Sequence, residues 1–474
     1  MVPFFPPLVK QVSSLAVIAG NTLLRQLERR GENSGLNRLM EKISICWLRR
    51  DLRLHDQAAL YHALRGKYPV VVFFIFDREI LDDLEDRKDR RVEFIYEQIL
   101  SMDQELKKQK SGLLVKYGSA LAVWKELVKE YDIAEVYTNG DYEQYALARD
   151  KAVGDLLSAQ EIPLHSFKDQ VIFEKDEIFS KAGKPYSVFT PYSKAWKAKV
   201  NDFYVKSYPT EKYFTNFVKA KLPPIPSLKD MNFEAVGEPF PSSAFKQDLI
   251  AEYDQTRDFP ALEGTSRMSI HLRFGTVSIR ELVRVAQELN ATYLNELIWR
   301  EFYFQVLYHF PQVNQGHAFR SEYDRIHWRN NEKEFEAWCE GKTGYPLVDA
   351  GMRQMNATGF MHNRVRMVTA SFLSKHLLID WRWGEAYFAK KLLDYDFSAN
   401  NGGWQWAAGS GCDASPYFRV FNPSLQAKKF DPQEKYIRQW VKEYQTKDYP
   451  EPIVEHEMAR ERAIETYRKA VKKN

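Results

Sequence analysis

Val70-Val71-Val72-Phe73-Phe74-Ile75-Phe76 is an unbroken apolar run with four β-branched residues and three phenylalanines. A strand that rests one face on water alternates apolar and polar residues. One that does not alternate is buried on both faces, as in a parallel sheet covered by helices on each side. Working outward, the same kind of pattern predicts strands at 43–48, 113–117 and 134–137. Helical spacing between them predicts helices from about 56, over 91–109 and 121–130, and from about 143 to 160. Buried strands separated by helices of that length define a doubly wound, Rossmann-like parallel sheet, here expected over 43–170.

Such a sheet invites a dinucleotide, but the turn after the first strand reads Arg49-Arg50-Asp51-Leu52-Arg53 and holds no glycine. The GxGxxG cradle is missing, so this half is no ordinary NAD or FAD binder, and its arginines read as a solvated turn. Gly341-Lys342-Thr343 resembles a phosphate loop only briefly, because Glu336 stands where the leading glycine belongs.

Between 171 and 244 the periodicity weakens and prolines gather, at Pro185, Pro191, Pro209, Pro223, Pro224, Pro226, Pro239 and Pro241, which predicts an inter-domain linker. From 245 to 474 the chain reads as all-α. Helical spacing covers 246–256, 277–289, 293–309, 335–341, 346–358, 363–375, 383–393 and 433–444. The architecture is therefore α/β plus all-α, in line with 474 residues, too many for one compact core.

A net charge of +4 from 68 basic and 64 acidic residues means that attraction to phosphate has to come from local clustering. Cys46, Cys339 and Cys412 are odd in number, far apart and form no CxxC. That argues against a disulfide framework and a zinc site and fits a reducing cytoplasm. No segment approaches 18 uninterrupted apolar residues, so no membrane helix is expected. Residues 1–42 lack the features of a secretory signal and read as a loosely attached extension.

Chemistry concentrates in the helical half. The stretch Leu393-Asp394-Tyr395-Asp396-Phe397-Ser398-Ala399-Asn400-Asn401-Gly402-Gly403-Trp404-Gln405-Trp406 joins acids, amides, glycines and flat rings at a density an ordinary core helix does not need. Its Asn-Asn-Gly-Gly run permits positive φ and close approach of a ligand. The bland alternative is a loop joining helices, with two core tryptophans. In 295–303, helical spacing puts Glu296, Trp299, Arg300 and Tyr303 on one stripe, which suits a pocket; the alternative is a half-exposed helix with a Glu296–Arg300 ion pair. In 361–367, Asn363, Arg366 and Met367 share a face, with Arg364 turned aside. Gly264-Thr265-Ser266-Arg267-Met268-Ser269, ahead of a helical segment, suits a phosphate or simple N-capping. Seven of eleven tryptophans fall between 299 and 406.

Five motifs, in order, resemble the photolyase and cryptochrome family: Trp47-Leu48-Arg49-Arg50-Asp51-Leu52-Arg53; Glu263-Gly264-Thr265-Ser266-Arg267; Leu297-Ile298-Trp299-Arg300-Glu301-Phe302; His362-Asn363-Arg364-Val365-Arg366-Met367; and Asn400-Asn401-Gly402-Gly403-Trp404-Gln405-Trp406. The resemblance spans Ile43 to about Trp440. It implies that the helical domain binds FAD, active when reduced, with Tyr253 and Thr265, Ser266, Arg267, Met268 and Ser269 on the phosphates. Arg366 and Asp394 would pair beside the isoalloxazine, Asp396 would line the site with Arg300 and Asn363, and Asn400 would face flavin N5. It implies light-driven repair of cyclobutane pyrimidine dimers in double-stranded DNA, with the lesion flipped into a cavity walled by Trp299 and Trp406.

By the same resemblance Glu296, Asn363 and Met367 would contact the two bases beside Tyr303, and Arg257, Arg300, Arg364 and Arg419 would grip phosphates. Trp404, Trp381 and Trp328 stand at the positions of the family's electron relay. Asn363 and Met367 argue against a (6-4) photolyase. The alternative within the family is a cryptochrome photoreceptor signalling through a protein partner; repair implies instead a monomer with no obligate protein partner. For the antenna the resemblance leaves folate, deazaflavin or none. Tyr145-Ala146 occupy the place of the Asn-Glu of folate-binding members, which speaks against methenyltetrahydrofolate.

Overall fold

The computed structural model describes residues 42–472, so the extension expected at 1–42 lies, Lys42 apart, outside the described residues. Strands β1 (Ile43–Leu48), β2 (Val70–Asp77), β3 (Leu113–Gly118), β4 (Ile133–Asn139) and β5 (Leu164–Phe167) form one sheet in the order β3-β2-β1-β4-β5. Every pairing is parallel. The doubly wound sheet is as the apolar runs predict, with β5 as a fifth parallel strand that periodicity missed. Its Leu-His-Ser-Phe is short, half-buried and at the edge, and so carries no continuous apolar signal.

Helices α1 (Ala58–Leu64), α2 (Arg90–Lys108), α3 (Ala120–Glu130) and α4 (Gln144–Ser158) connect the strands. Successive side chains of a strand point to opposite faces. Cys46 and Leu48 of β1 accordingly join the core built with α1 and α2, while Trp47 meets Trp124 of α3 with ring centroids 5.4 Å apart.

The 171–244 segment is more than a connection, because it contains α5 (Phe189–Lys199). Tyr192 and Trp196 of α5 are buried and donate to the Glu301 carboxylate at 3.1 and 2.7 Å; the Ile172 and Phe173 amides donate to it at 2.6 and 3.1 Å. Burial pushes the Glu301 carboxyl up to about 7 against these four donors.

The rest is helical: α6 (Ile279–Leu289), α7 (Ala291–His309), α8 (Glu332–Glu340), α9 (Pro346–Thr358), α10 (Asn363–Ser371), α11 (Trp381–Lys391), α12 (Phe397–Ala408), α13 (Pro423–Phe430) and α14 (His456–Val471), with shorter turns between. A π-helical turn, Phe372–His376, continues α10. Among the described residues no helix is long and apolar enough to cross a membrane.

Two sequence readings are corrected here. Asn400-Asn401-Gly402-Gly403 is no loop with positive φ; it is the interior of α12, capped by Asp396, whose side chain accepts from the Ser398 and Ala399 amides. The glycines serve packing instead, since a Cβ on Gly402 would collide with the Tyr303 ring of α7. Nor is the turn after β1 a solvated run of arginines. Arg50 is held by Glu143 at 2.6 Å, Asp141 at 3.3 Å and Asp396 of the helical half. Arg53 pairs with Asp169 at 2.7 Å, and Arg280 of α6 reaches Asp169 and Asp56, each at 2.9 Å. These buried pairs fasten sheet to helices. Gly341 of the discarded phosphate loop ends α8 in the left-handed conformation.

Candidate active site

The stripe predicted on α7 opens into a cavity of about 510 Å³, in the usual range for a small-molecule site. Residues 253–269 supply one wall and α7 a second. The segment from Phe360 into α10 and the stretch from Leu392 through α12 close it. Tyr253, Arg257, Thr265, Ser266, Arg267, Met268, Ser269, Glu296, Trp299, Arg300, Tyr303, Asn363, Arg366, Met367, Asp394, Asp396, Asn400, Trp404 and Trp406 all line it. Residues separated by 150 positions in sequence thus meet around one void.

Each wall follows from local chemistry. Asn290 caps α7 by accepting from the Thr292 and Tyr293 amides, which sets the register of the stripe. Glu296 turns to Arg257 rather than to Arg300, so the ion pair conceivable within α7 does not form. Arg300 donates to the Gln170 carbonyl at 2.6 Å and the Leu272 carbonyl at 3.3 Å, and lies on the buried ring of Phe304. Burial lowers its pKa to about 10. Trp299 stacks on Phe189 of α5 with centroids 3.7 Å apart and planes 6° from parallel, leaving one face for a ligand.

The pair expected between Arg366 and Asp394 is present at 2.9 Å, while Arg366 Nε donates to the Met361 carbonyl at 2.7 Å. His362 caps α10, its Nδ1 accepting from the Arg364 amide at 3.2 Å; burial lowers it to about 4, and it is a structural cap. Asn400 donates Nδ2 to the Glu385 carbonyl of α11 at 3.1 Å. Burial opposes ionisation of Asp396, but Arg50, then Arg273 and Arg300, hold its carboxyl well below the usual carboxylate range. Thr265, Ser266 and Arg267 lead into the short helix Ser269–Phe274, and Ser266 Oγ hydrogen-bonds Tyr293 Oη at 2.9 Å.

Four predicted residues lie off the cavity. Trp381 is buried and Trp328 partly buried in the core cluster that also holds Trp404. The ring neighbours of Trp404 are Phe388 at 5.0 Å and Trp338 at 6.0 Å. Arg364 pairs with Asp258 at 2.7 Å and lies over Phe430, and Arg419 sits on an exposed loop. Sequence reading missed Arg50 and Arg273, which charge-balance the cavity floor, and Phe388, which lines it. The doubled arginine after β1 was the only signal, and its partners are up to 346 residues away.

The cavity fits a dinucleotide flavin. A hydroxyl-rich turn with Arg267 suits a diphosphate at one wall. In the same cavity, the Arg366–Asp394 pair and the Asn400 amide suit the polar edge of a flat ring. Gly403 borders the void with nothing within 4 Å of where its Cβ would stand, and Trp404 Nε1 beside it is buried without a partner among the described residues.

Comparison with known proteins agrees. Residues 293–448 match the FAD binding domain of DNA photolyase, and residues 44–212 match the family described as DNA photolyase. A deoxyribodipyrimidine photo-lyase of Escherichia coli is 37% identical over 90% of this chain and 99% of its own length; one from Halobacterium salinarum is 35% identical over the same shares. The crystal structure of a class III photolyase from Agrobacterium tumefaciens superposes with a TM-score of 0.80 at 32% identity, covering 91% of this chain and 98% of that one. The chain belongs to the DNA photolyase family. A cryptochrome from Synechocystis, 24% identical with a TM-score of 0.75, shares the fold.

Proposed function

We propose that this protein is a deoxyribodipyrimidine photo-lyase that repairs cyclobutane pyrimidine dimers in double-stranded DNA by light-driven electron transfer. The observation that carries this is the union, in one void, of the flavin-type wall (Arg366, Asp394, Asn400) with an aromatic and amide wall (Trp299, Trp406, Glu296, Asn363, Met367). Reduced FAD, when bound, supplies the excited electron that splits the cyclobutane ring and takes it back. The residues do the rest.

Trp299 and Trp406 receive the flipped dinucleotide by stacking, and a damaged pair costs less to extrude than an intact one. Glu296, Asn363 and Met367 meet the base edges. Asn400, fixed through Nδ2 to the Glu385 carbonyl, would offer its amide oxygen to the ring edge of the cofactor. Arg366 and Asp394 hold that edge as a pair.

Of the four arginines assigned to phosphate, Arg300 lies inside the wall and is reassigned to supporting it. Arg257 and Arg364 face DNA only by sharing themselves with Glu296 and Asp258, whereas Arg419 is exposed. Trp404, Trp381 and Trp328 would carry electrons inward through their common core cluster. The protein would act as a monomer. The test is to illuminate the reduced, flavin-loaded protein with near-ultraviolet or blue light on dimer-containing DNA and measure restored pyrimidines. Restoration is expected, and none with flavin bound would overturn the reading.

A further inference from the structure

Lys375 lies in the π-helical turn that continues α10, a distortion that often marks a functional position. It is 1% exposed, and among the described residues the one hydrogen bond of its side chain is Nζ to the Arg419 carbonyl at 2.8 Å. Burial, with the Arg419 charge adding to it, lowers the amine to about 7. A buried amine without a carboxylate partner costs stability that a methionine in the same space would not, so packing alone does not account for it.

The loop between α12 and α13 accounts for it. The first residues of this loop are well tied: the Ser410 and Gly411 amides donate to the Gln405 carbonyl at 3.0 and 3.1 Å, and the Ser410 carbonyl accepts from the Arg320 amide at 3.0 Å. Asp413 accepts from the Phe189 amide at 3.0 Å. From 414 to 421, among the described residues, the hydrogen bond that leaves the loop is the one from Lys375. This span carries Arg419, whose guanidinium lies over Phe421 at 5.6 Å, and Phe421 faces Trp406 at 6.5 Å. Cavity wall, ring and cation form a ladder with Lys375 at its back.

We propose that Lys375 is a positioning residue for lesion binding: by gripping the Arg419 carbonyl it pins residues 414–421 so that Arg419 and Phe421 stand beside Trp406, ready for the phosphates flanking the flipped dinucleotide. This rests on the reading of Trp406 and Arg419 as DNA-facing.

The test separates the two. In the flavin-loaded protein without DNA, Lys375→Met should speed hydrogen exchange of the Arg419 amide, the one in 414–421 that is hydrogen-bonded among the described residues, to the Pro416 carbonyl at 2.9 Å, roughly tenfold, the worth of one lost hydrogen bond. Flavin content should not change. On dimer DNA the variant should bind several-fold more weakly, with the slope of log K against log salt shallower by about 0.9 as one phosphate contact is lost. In an Arg419→Ala background, Lys375→Met should add no further loss of DNA affinity. Lys375→Gln, shorter but still a donor, should fall between wild type and Met in exchange and stands in if the Met variant does not accumulate. Unchanged exchange in either variant, or additive losses in the double variant, would overturn the proposal. Absence of any preference of the wild-type protein for dimer DNA would overturn the functional reading instead, a result told apart by the exchange experiment, which needs no DNA.

Discussion

At the joint between sheet and helices, Asp169 accepts from Arg53 at 2.7 Å, Arg280 at 2.9 Å and the Ala58 amide at 3.2 Å, while Arg53 also reaches the Gly275 carbonyl at 2.9 Å. In the cavity wall the pattern differs. Among the described residues, bonds engage Nε and Nη2 of Arg366 and only Nδ2 of Asn400, leaving spare hydrogen-bonding capacity on two residues that line the void. Both regions bury polar groups, the first between the two halves of the chain and the second within the helical half. Where the acceptors of Asp169 and all three nitrogens of Arg53 are engaged, the charges hold the fold; where a side chain at the void keeps spare capacity, it is available to a ligand.

The largest expected effect breaks the saturated side. Asp169→Ala leaves Arg53 buried without a carboxylate partner and Arg280 with Asp56 alone, and should cost about 3–5 kcal/mol in urea unfolding of the flavin-free protein. Asp394→Ala, on the cavity side, should cost less stability and lose flavin on gel filtration. Equal losses of stability would erase the distinction.

The two regions should also respond oppositely to pH. Despite burial, Arg53 and Arg280 hold the Asp169 carboxyl below the ordinary carboxylate range, so its contribution is present at neutral pH and lost as pH falls below about 4. Burial instead pushes the Glu385 carboxyl, which accepts from Asn401 beside the cavity, up from 4.5 to about 7. Folded protein then holds a proton that the unfolded chain has released. The Glu385 contribution is complete below 4.5 and declines as pH rises to 7, on the order of 1 kcal/mol per pH unit. Glu385→Gln should flatten unfolding free energies across that window; an unchanged slope would assign the decline to other groups.

On the ligand side, Trp299→Ala should weaken dimer binding by about 1–3 kcal/mol with flavin content intact. Loss of flavin would instead make Trp299 part of the cofactor wall. The smallest effect compares neighbours in α12. Gly403→Ala meets nothing within 4 Å and should stabilise the flavin-free protein by about 0.5–1 kcal/mol while reducing flavin affinity. Gly402→Ala should destabilise it through the Tyr303 ring. Undiminished flavin binding in Gly403→Ala would place the cofactor elsewhere.

Periodicity sufficed for β1 to β4 and for most helices because each buries a continuous apolar face. It failed at β5, which is short and half-buried, and at α12, where glycines chosen for Tyr303 and for the void mimic a loop. The cavity stripe on α7 was legible because helical spacing alone puts Glu296, Trp299, Arg300 and Tyr303 together. The partners of Arg50 were not. An ion pair between positions 50 and 396 leaves no trace in either neighbourhood, and only the folded chain brings them together.

Phe189 lies flat against one side of Trp299, and it belongs to the proline-rich stretch that reads as a tether. A chimera that grafted the helical half of a relative onto this sheet, with the junction placed after Phe189, would seat a foreign residue 299 on a backing ring from another chain. The workable seam for such shuffling therefore falls ahead of α5.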